Sequence, residues 1–218
     1  MATLARVLVV DDDPNVAEVL QEFFTDEGYE VRVAENGRVG LDLFDAWRPH
    51  VVLLDLRMPE MSGEDVFLRI RAMQPTAAVI FVTGADDETL ARRLLRGGAT
   101  DYVQKPIDLD YCALAVLLSV ASRSAPAGGG TPEPLVQRLY TLVRTVRVLD
   151  DTSPPMRQAL EQLAYAALRD ALAQAPEHAQ MQLEMLRRCL DSAPASTMSS
   201  PDREAVTEAL GALVPSPR

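Results

Sequence analysis

The chain reads as an α/β domain, a doubly wound five-stranded parallel sheet, followed by an all-α region. Three observations predict this. Short apolar runs at 4–10, 51–54 and 77–83 have the composition of strands buried on both faces. Helical patterns separate them, so strand and helix alternate, which argues for a parallel sheet with helices on both faces. Beyond residue 133 strand-like runs stop and only helical spacing remains.

The first strand ends at Asp11-Asp12-Asp13-Pro14, where Asp13 suits an N-cap and Pro14 the first helical position. Val16, Val19, Leu20, Phe23 and Phe24 give the next helix its spacing, and Gly28 stops it. Residues 29–34 alternate as a second strand, and 36–47 are helical with Leu41, Leu43, Phe44 and Trp47 apolar. The third strand, 51–55, is apolar until it ends in Asp55. A loop over 57–61 leads to Ser62-x-x-Asp65, a capping signal, and a helix to about Met73. Residues 77–83 form the fourth strand, and 86–96 are helical until Gly97-Gly98. A short strand over 100–104 and a helix over 108–122 complete the alternation. Five such strands are expected in the order 2-1-3-4-5, with the site at their carboxyl ends.

Residues 124–132, rich in proline and glycine, predict a linker between a domain at 1–123 and a helical region at 133–218. Helices are expected near 133–150, 155–174, 177–191 and 202–213. Leu135, Leu139, Leu142, Val146 and Leu149 step by 4, 3, 4 and 3. That suits one face of a bundle, or a short dimer seam. Met156, Met181 and Met185 read as core, and Val206, Leu210 and Leu213 could complete the bundle.

Composition excludes several classes. Apolar residues at 48% and charged residues at 24% suit a globular chain. No apolar run reaches the roughly 18 residues of a membrane helix, so a cytoplasmic protein is expected. Residues 1–124 carry net −9 and 125–218 net −2, which offers nucleic acid no electropositive face. Cys112 and Cys189 fall in helical patterns and suit small core positions better than a disulfide.

The chemistry gathers at the strand ends. Strands one, three, four and five end in Asp11/Asp12, Asp55, Thr83 and Lys105, and the topology places these ends side by side. Lys105 is the only lysine. Adjacent carboxylates repel, and a hard cation such as Mg²⁺ with oxygen ligands relieves this. A phosphoryl group arriving at Asp55 would need a hydroxyl, offered by Thr83, and a cation, offered by Lys105. Gly84 leaves room for it to enter.

Four segments now resemble the receiver domains of two-component response regulators. They are Val7-Leu8-Val9-Val10-Asp11-Asp12-Asp13-Pro14, Leu53-Leu54-Asp55-Leu56-Arg57-Met58-Pro59-Glu60-Met61-Ser62-Gly63, Val82-Thr83-Gly84 and Gly98-Ala99-Thr100-Asp101-Tyr102-Val103-Gln104-Lys105-Pro106. The resemblance implies a flavodoxin-like fold over about 1–123. It implies that a cognate histidine kinase or phosphotransfer protein phosphorylates Asp55. It also implies that Asp12 and Asp55 bind Mg²⁺ directly, that Asp11 assists through water, and that Arg57 contributes its backbone carbonyl. Thr83 and Tyr102 would move together as the switch pair. Arg57 and Ala85 flank the phosphoryl site. Ala85 cannot orient an attacking water and Arg57 could reach phosphoryl oxygens, so slow to moderate self-dephosphorylation is expected. Ile107 stands where family members often carry Phe, a packing change.

The output is expected to be a helical interaction or dimerisation region without a separate catalytic activity. From Tyr111 to Ser122 no residue is charged, so the outer face of that helix needs cover. Arg92, Arg93 and Arg96 lie near Asp101, Asp108 and Asp110, which suits a homodimer through the 86–122 face, with or without the 133–150 helix, or pairing within one subunit. An atypical DNA-binding region is the alternative.

Overall fold

The computed structural model describes residues 5–84, 87–123, 134–147, 149, 152–172, 176–194, 196–211 and 213. Ala85, the segment 124–132 and the side chains of Leu135 and His178 lie outside the described residues. The chain divides into two compact units, Met1–Gly129 and Gly130–Arg218.

The first unit is the expected α/β alternation: β1 (Arg6–Val10), α1 (Pro14–Asp26), β2 (Glu30–Ala34), α2 (Gly37–Trp47), β3 (Val51–Asp55), α3 (Gly63–Met73), β4 (Ala78–Thr83), α4 (Glu88–Arg96), β5 (Asp101–Gln104) and α5 (Leu109–Arg123). The sheet order is β2-β1-β3-β4-β5, and every pairing is parallel. All of β3 and β4 is buried, which is why these strands lack polar alternation, whereas the edge strand β2 exposes Glu30 and Arg32.

Register positions the site. Val10 lies opposite Leu54, so Asp11 comes level with Asp55. Asp55 lies opposite Val82, and Thr83 is one residue further. Thr83 lies opposite Gln104, so Lys105 is one residue further again. The four polar groups therefore follow one another across the same edge of the sheet.

Local signals act as read. Asp13 caps α1 by accepting from the Asn15 N–H at 2.9 Å. Gly28 at φ 87 follows its C-cap, a conformation that a side chain would oppose. Ser62 Oγ accepts from Asp65 N–H at 3.2 Å and donates to the Asp65 carboxylate at 2.6 Å, so the cap is reciprocal between side chains. The buried stripe of α1 is Ala17, Leu20 and Phe24. Val19 is instead exposed, because the stripe is set by the sheet on one side only.

In the second unit α6 (Pro134–Arg147) packs against α7 (Pro154–Leu172) and α9 (Ser200–Gly211), and α8 (Pro176–Ser192) also packs against both. Leu139, Leu142, Val146 and Leu149 are buried, as are Val206 and Leu210. From Leu139 to Leu149 the 4-3 seam is thus one face of this chain's own bundle. Met181 and Met185 correct the sequence reading: both are exposed, because the buried face of α8 runs through Ala179, Leu183, Leu186 and Leu190. Arg147 Nε donates to Glu161 at 2.8 Å, Thr152 donates to Asp202 at 2.8 Å, and Arg203 donates to the Leu190 and Ala193 carbonyls at the end of α8.

Candidate acidic site at the strand ends

Asp11 and Asp55 are buried, 2% and 5% exposed, while Asp12 is exposed. Carboxylate oxygens of Asp11, Asp12 and Asp55 lie within 4.8 Å of one another. Such an all-oxygen set, two members withdrawn from solvent and one open to it, fits a hard divalent cation. Asp11 is held from both sides: Oδ1 accepts from the Asp13 N–H at 2.9 Å, and Oδ2 from Lys105 Nζ at 3.1 Å.

Lys105 Nζ lies 3.1 Å from Asp11 and 3.5 Å from Asp55. The single lysine thus serves both acids and hydrogen-bonds to the first. Burial opposes its charge, but the hydrogen bond and attraction of Asp11, then those of Asp55, prevail and hold the ammonium above its ordinary range. The peptide between Lys105 and Pro106 is cis.

Asp55 experiences the opposite balance. Burial first, and the Asp11 carboxylate second, push its carboxyl up to about 6, against the pull of Lys105. A desolvated carboxylate beside a like charge is poorly compensated. It gains when a cation approaches or when its charge is shared with another group.

Thr83 is buried, and its Oγ1 donates to the Gly84 carbonyl at 3.2 Å. That bond is long for a hydroxyl donor. A Cβ built on Gly84 would meet nothing closer than Asp87 Oδ2 at 3.8 Å, so the position is open beside Thr83. Tyr102 is buried in β5 next to Asp101, whose carboxylate accepts from the Tyr102 N–H at 2.8 Å and from the Tyr111 hydroxyl at 2.6 Å. Three of the six charges read as a pairing face are engaged within the subunit: Asp101 on Tyr111, Asp108 on the Tyr111 N–H, Arg93 on Glu64. Ala115, Val116 and Ser119 of α5 are buried, while Leu117, Leu118 and Val120 are only half-buried.

Two features were not legible in the sequence. A Cβ on Gly63 would stand 2.1 Å from the Asp55 carbonyl oxygen, so α3 begins hard against the backbone of β3. Arg57, expected near incoming oxygens, instead forks onto Asp87: Nε donates to Oδ1 at 2.7 Å and Oδ2 at 3.0 Å, and Nη2 donates to Oδ1. Asp87 is buried at the N-cap of α4 and makes no side-chain capping bond. A pair of oppositely charged residues in separate loops leaves no periodic trace.

Comparison with known proteins agrees with this geometry. The profile of the response regulator receiver domain matches residues 7–116. Regulatory protein AtoC of Escherichia coli strain K12 is 42% identical over 53% of this chain and 25% of its own length. Response regulator MprA of Mycolicibacterium vanbaalenii is 36% identical over 57% of this chain and 53% of its own length. Transcriptional regulatory protein AruR of Pseudomonas aeruginosa is 34% identical over 74% of this chain and 59% of its own length. The chain thus spans less than two thirds of each of these curated relatives. Among solved structures, the receiver domain protein from Clostridium thermocellum aligns with a TM-score of 0.53 and 29% identity, over 55% of this chain and 96% of that one. The receiver domain of AraT from Geobacillus stearothermophilus aligns at 0.51 and 28% identity, over 56% and 96%.

Proposed function

The chain belongs to the response regulator receiver-domain family, and on that footing we propose that Asp55 accepts a phosphoryl group from a histidine kinase or phosphotransfer protein. The observation that carries this is Asp55 itself, buried beside Asp11, with its carboxyl pushed up to about 6 and Lys105 Nζ at 3.5 Å. An Asp55 oxygen forms the new O–P bond as the donor's N–P bond breaks, and the donor imidazole leaves with the electron pair and takes a proton. Lys105 holds charge beside the acceptor. The Thr83 hydroxyl turns from the Gly84 carbonyl to an incoming oxygen. Gly84, with Ala85 beyond it, keeps the approach open.

Asp11, Asp12 and Asp55, with the Arg57 backbone carbonyl, would hold Mg²⁺. When bound, the ion supplies positive charge that offsets carboxylate and phosphoryl repulsion. Thr83 and Tyr102 form the switch pair, and the acyl phosphate hydrolyses slowly to moderately. The domain boundaries follow as 1–123, linker 124–132 and helical region 133–218.

The output we propose is a helical interaction region whose packing or dimerisation follows phosphorylation, in a cytoplasmic protein with no separate catalytic activity. Among the described residues no helix is long and apolar enough to cross a membrane. The half-buried outer residues of α5 favour a homodimer through the 86–122 face. The helix over 133–150 is a weaker candidate, because its seam is buried in its own bundle. Light scattering with and without beryllofluoride tests this, and identical mass and shape would sink it. A second reading, control of transcription through DNA binding, is favoured by relatives such as AruR, named a transcriptional regulatory protein. Net −2 over 125–218 stands against it, and a salt-dependent DNA shift would promote it.

The acceptor reading is tested by intact-protein mass spectrometry after exposure to a small-molecule phosphodonor with Mg²⁺. The chain should gain one phosphoryl group, and Asp55→Asn should gain none. Equal labelling of the variant would overturn the assignment.

A further inference from the structure

The Arg57–Asp87 pair joins the two loops that leave the acceptor strand and the Thr83 strand. Arg57 is two residues past Asp55, and Asp87 four past Thr83. Their burial is unequal: the Arg57 side chain is 72% exposed and that of Asp87 only 5%. Asp87 Oδ2 also stands next to Gly84, the open position beside Thr83. A buried carboxylate thus sits beside the open position next to Thr83, its charge met by an arginine two residues past the acceptor.

We propose that this ion pair is a latch, in which Asp87 and the phosphoryl group on Asp55 compete for the Arg57 guanidinium. This rests on Asp55 being the acceptor. A forked guanidinium matches a phosphoryl group as well as it matches a carboxylate. The phosphoryl group carries more charge than the Asp87 carboxylate. Transfer of Arg57 leaves Asp87 buried without that charge partner, which is costly, and the added anion repels it. The relief is outward movement of Asp87, and with it the first turn of α4.

The rest of α4 is fastened separately. Arg93 donates to both oxygens of Glu64 in the first turn of α3, at 2.8 and 2.9 Å. The latch therefore frees the start of α4 while its middle stays tied to α3. Asp87 acts as a positioning residue through Arg57, and its position sets how readily the phosphorylated form is held.

Competition predicts a coupling that a merely structural role lacks. In the full chain at saturating Mg²⁺, Asp87→Asn should tighten beryllofluoride binding about fivefold or more by titration calorimetry. In an Arg57→Ala background the same change should have no effect. Glu64→Gln, which loosens α4 without freeing Arg57, should leave the affinity unchanged. Arg57→Ala, an exposed truncation, gives a second reading: without ligand, hydrogen exchange in the first turn of α4 should rise toward that of the ligand-bound wild type.

An unchanged affinity in Asp87→Asn, or tightening that persists without Arg57, would overturn the latch alone. So would exchange in Arg57→Ala that stays at the unliganded wild-type level. Failure of the wild type to bind beryllofluoride at all would instead overturn the acceptor assignment and the latch with it.

Discussion

The two units treat buried polar groups in opposite ways. In the helical unit the buried polar side chains among the described residues are Arg147 and Thr152, and each is stapled to a helix: Arg147 of α6 to Glu161 of α7, and Thr152, just before α7, to Asp202 of α9. They close the bundle. In the α/β unit Asp11 and Asp55 are buried side by side, and Lys105 compensates Asp11 better than Asp55. One unit uses buried polarity for stability. The other stores an imbalance that chemistry can relieve.

The largest expected effect sits under the acceptor. Gly63→Ala drives a Cβ into the Asp55 carbonyl, a backbone atom that cannot step aside. A loss of about 3 kcal/mol or more is expected in denaturant unfolding, together with loss of phosphoryl acceptance.

Next comes a contrast in sign. Removing a stapled group should destabilise. Arg147→Ala strips a charged hydrogen bond from Glu161 and should cost about 2 kcal/mol. Removing the imbalanced group should stabilise. The Asp55 carboxyl ionises near 3.8 when unfolded and at about 6 when folded. Below 3.8 both states are protonated and no penalty exists; it grows as pH rises and is complete above about 6. Without divalent cation, Asp55→Asn should therefore melt on the order of 5 °C higher at pH 7. That gain should fade as pH falls toward 4. Added Mg²⁺ should raise the melting temperature of the wild type and leave the variant nearly unmoved. A lower melting temperature for Asp55→Asn at pH 7 would erase the contrast.

The smallest effect sharpens the comparison by leaving the site alone. Asn36 caps α2 by accepting from the Val39 N–H at 2.9 Å. Asn36→Ala should cost about 1 kcal/mol with beryllofluoride affinity intact, so that the α/β unit behaves like the bundle wherever stored charge is not involved.

What was legible follows the same division. Strands β3 and β4 are apolar up to the polar residue that ends each, and β1 is apolar from Val7 to Val10 with Asp11 directly after it, so these polar residues announced both the strands and the site. Parallel register then brought Asp11, Asp55, Thr83 and Lys105 together without further information. The bundle's helices were legible from prolines and spacing, but not which face of α8 turns inward, because Met181 and Met185 suit either side. The Arg57–Asp87 latch and the approach of Gly63 to Asp55 were hidden for another reason. The first depends on two loops meeting in space and the second on where a helix start is set against a strand end, and neither leaves a periodic trace. In sequence, Asp87 is merely an acid at a helix start, a favourable place for one on any protein.

The imbalance at Asp55 has meaning only if that carboxylate takes the phosphoryl group. Borohydride reduction of the freshly phosphorylated full chain converts an aspartyl phosphate to homoserine, and peptide sequencing then locates it. Homoserine at position 55 and at no other aspartate is the predicted result. Homoserine at Asp11, Asp12 or Asp87, with Asp55 intact, would contradict it.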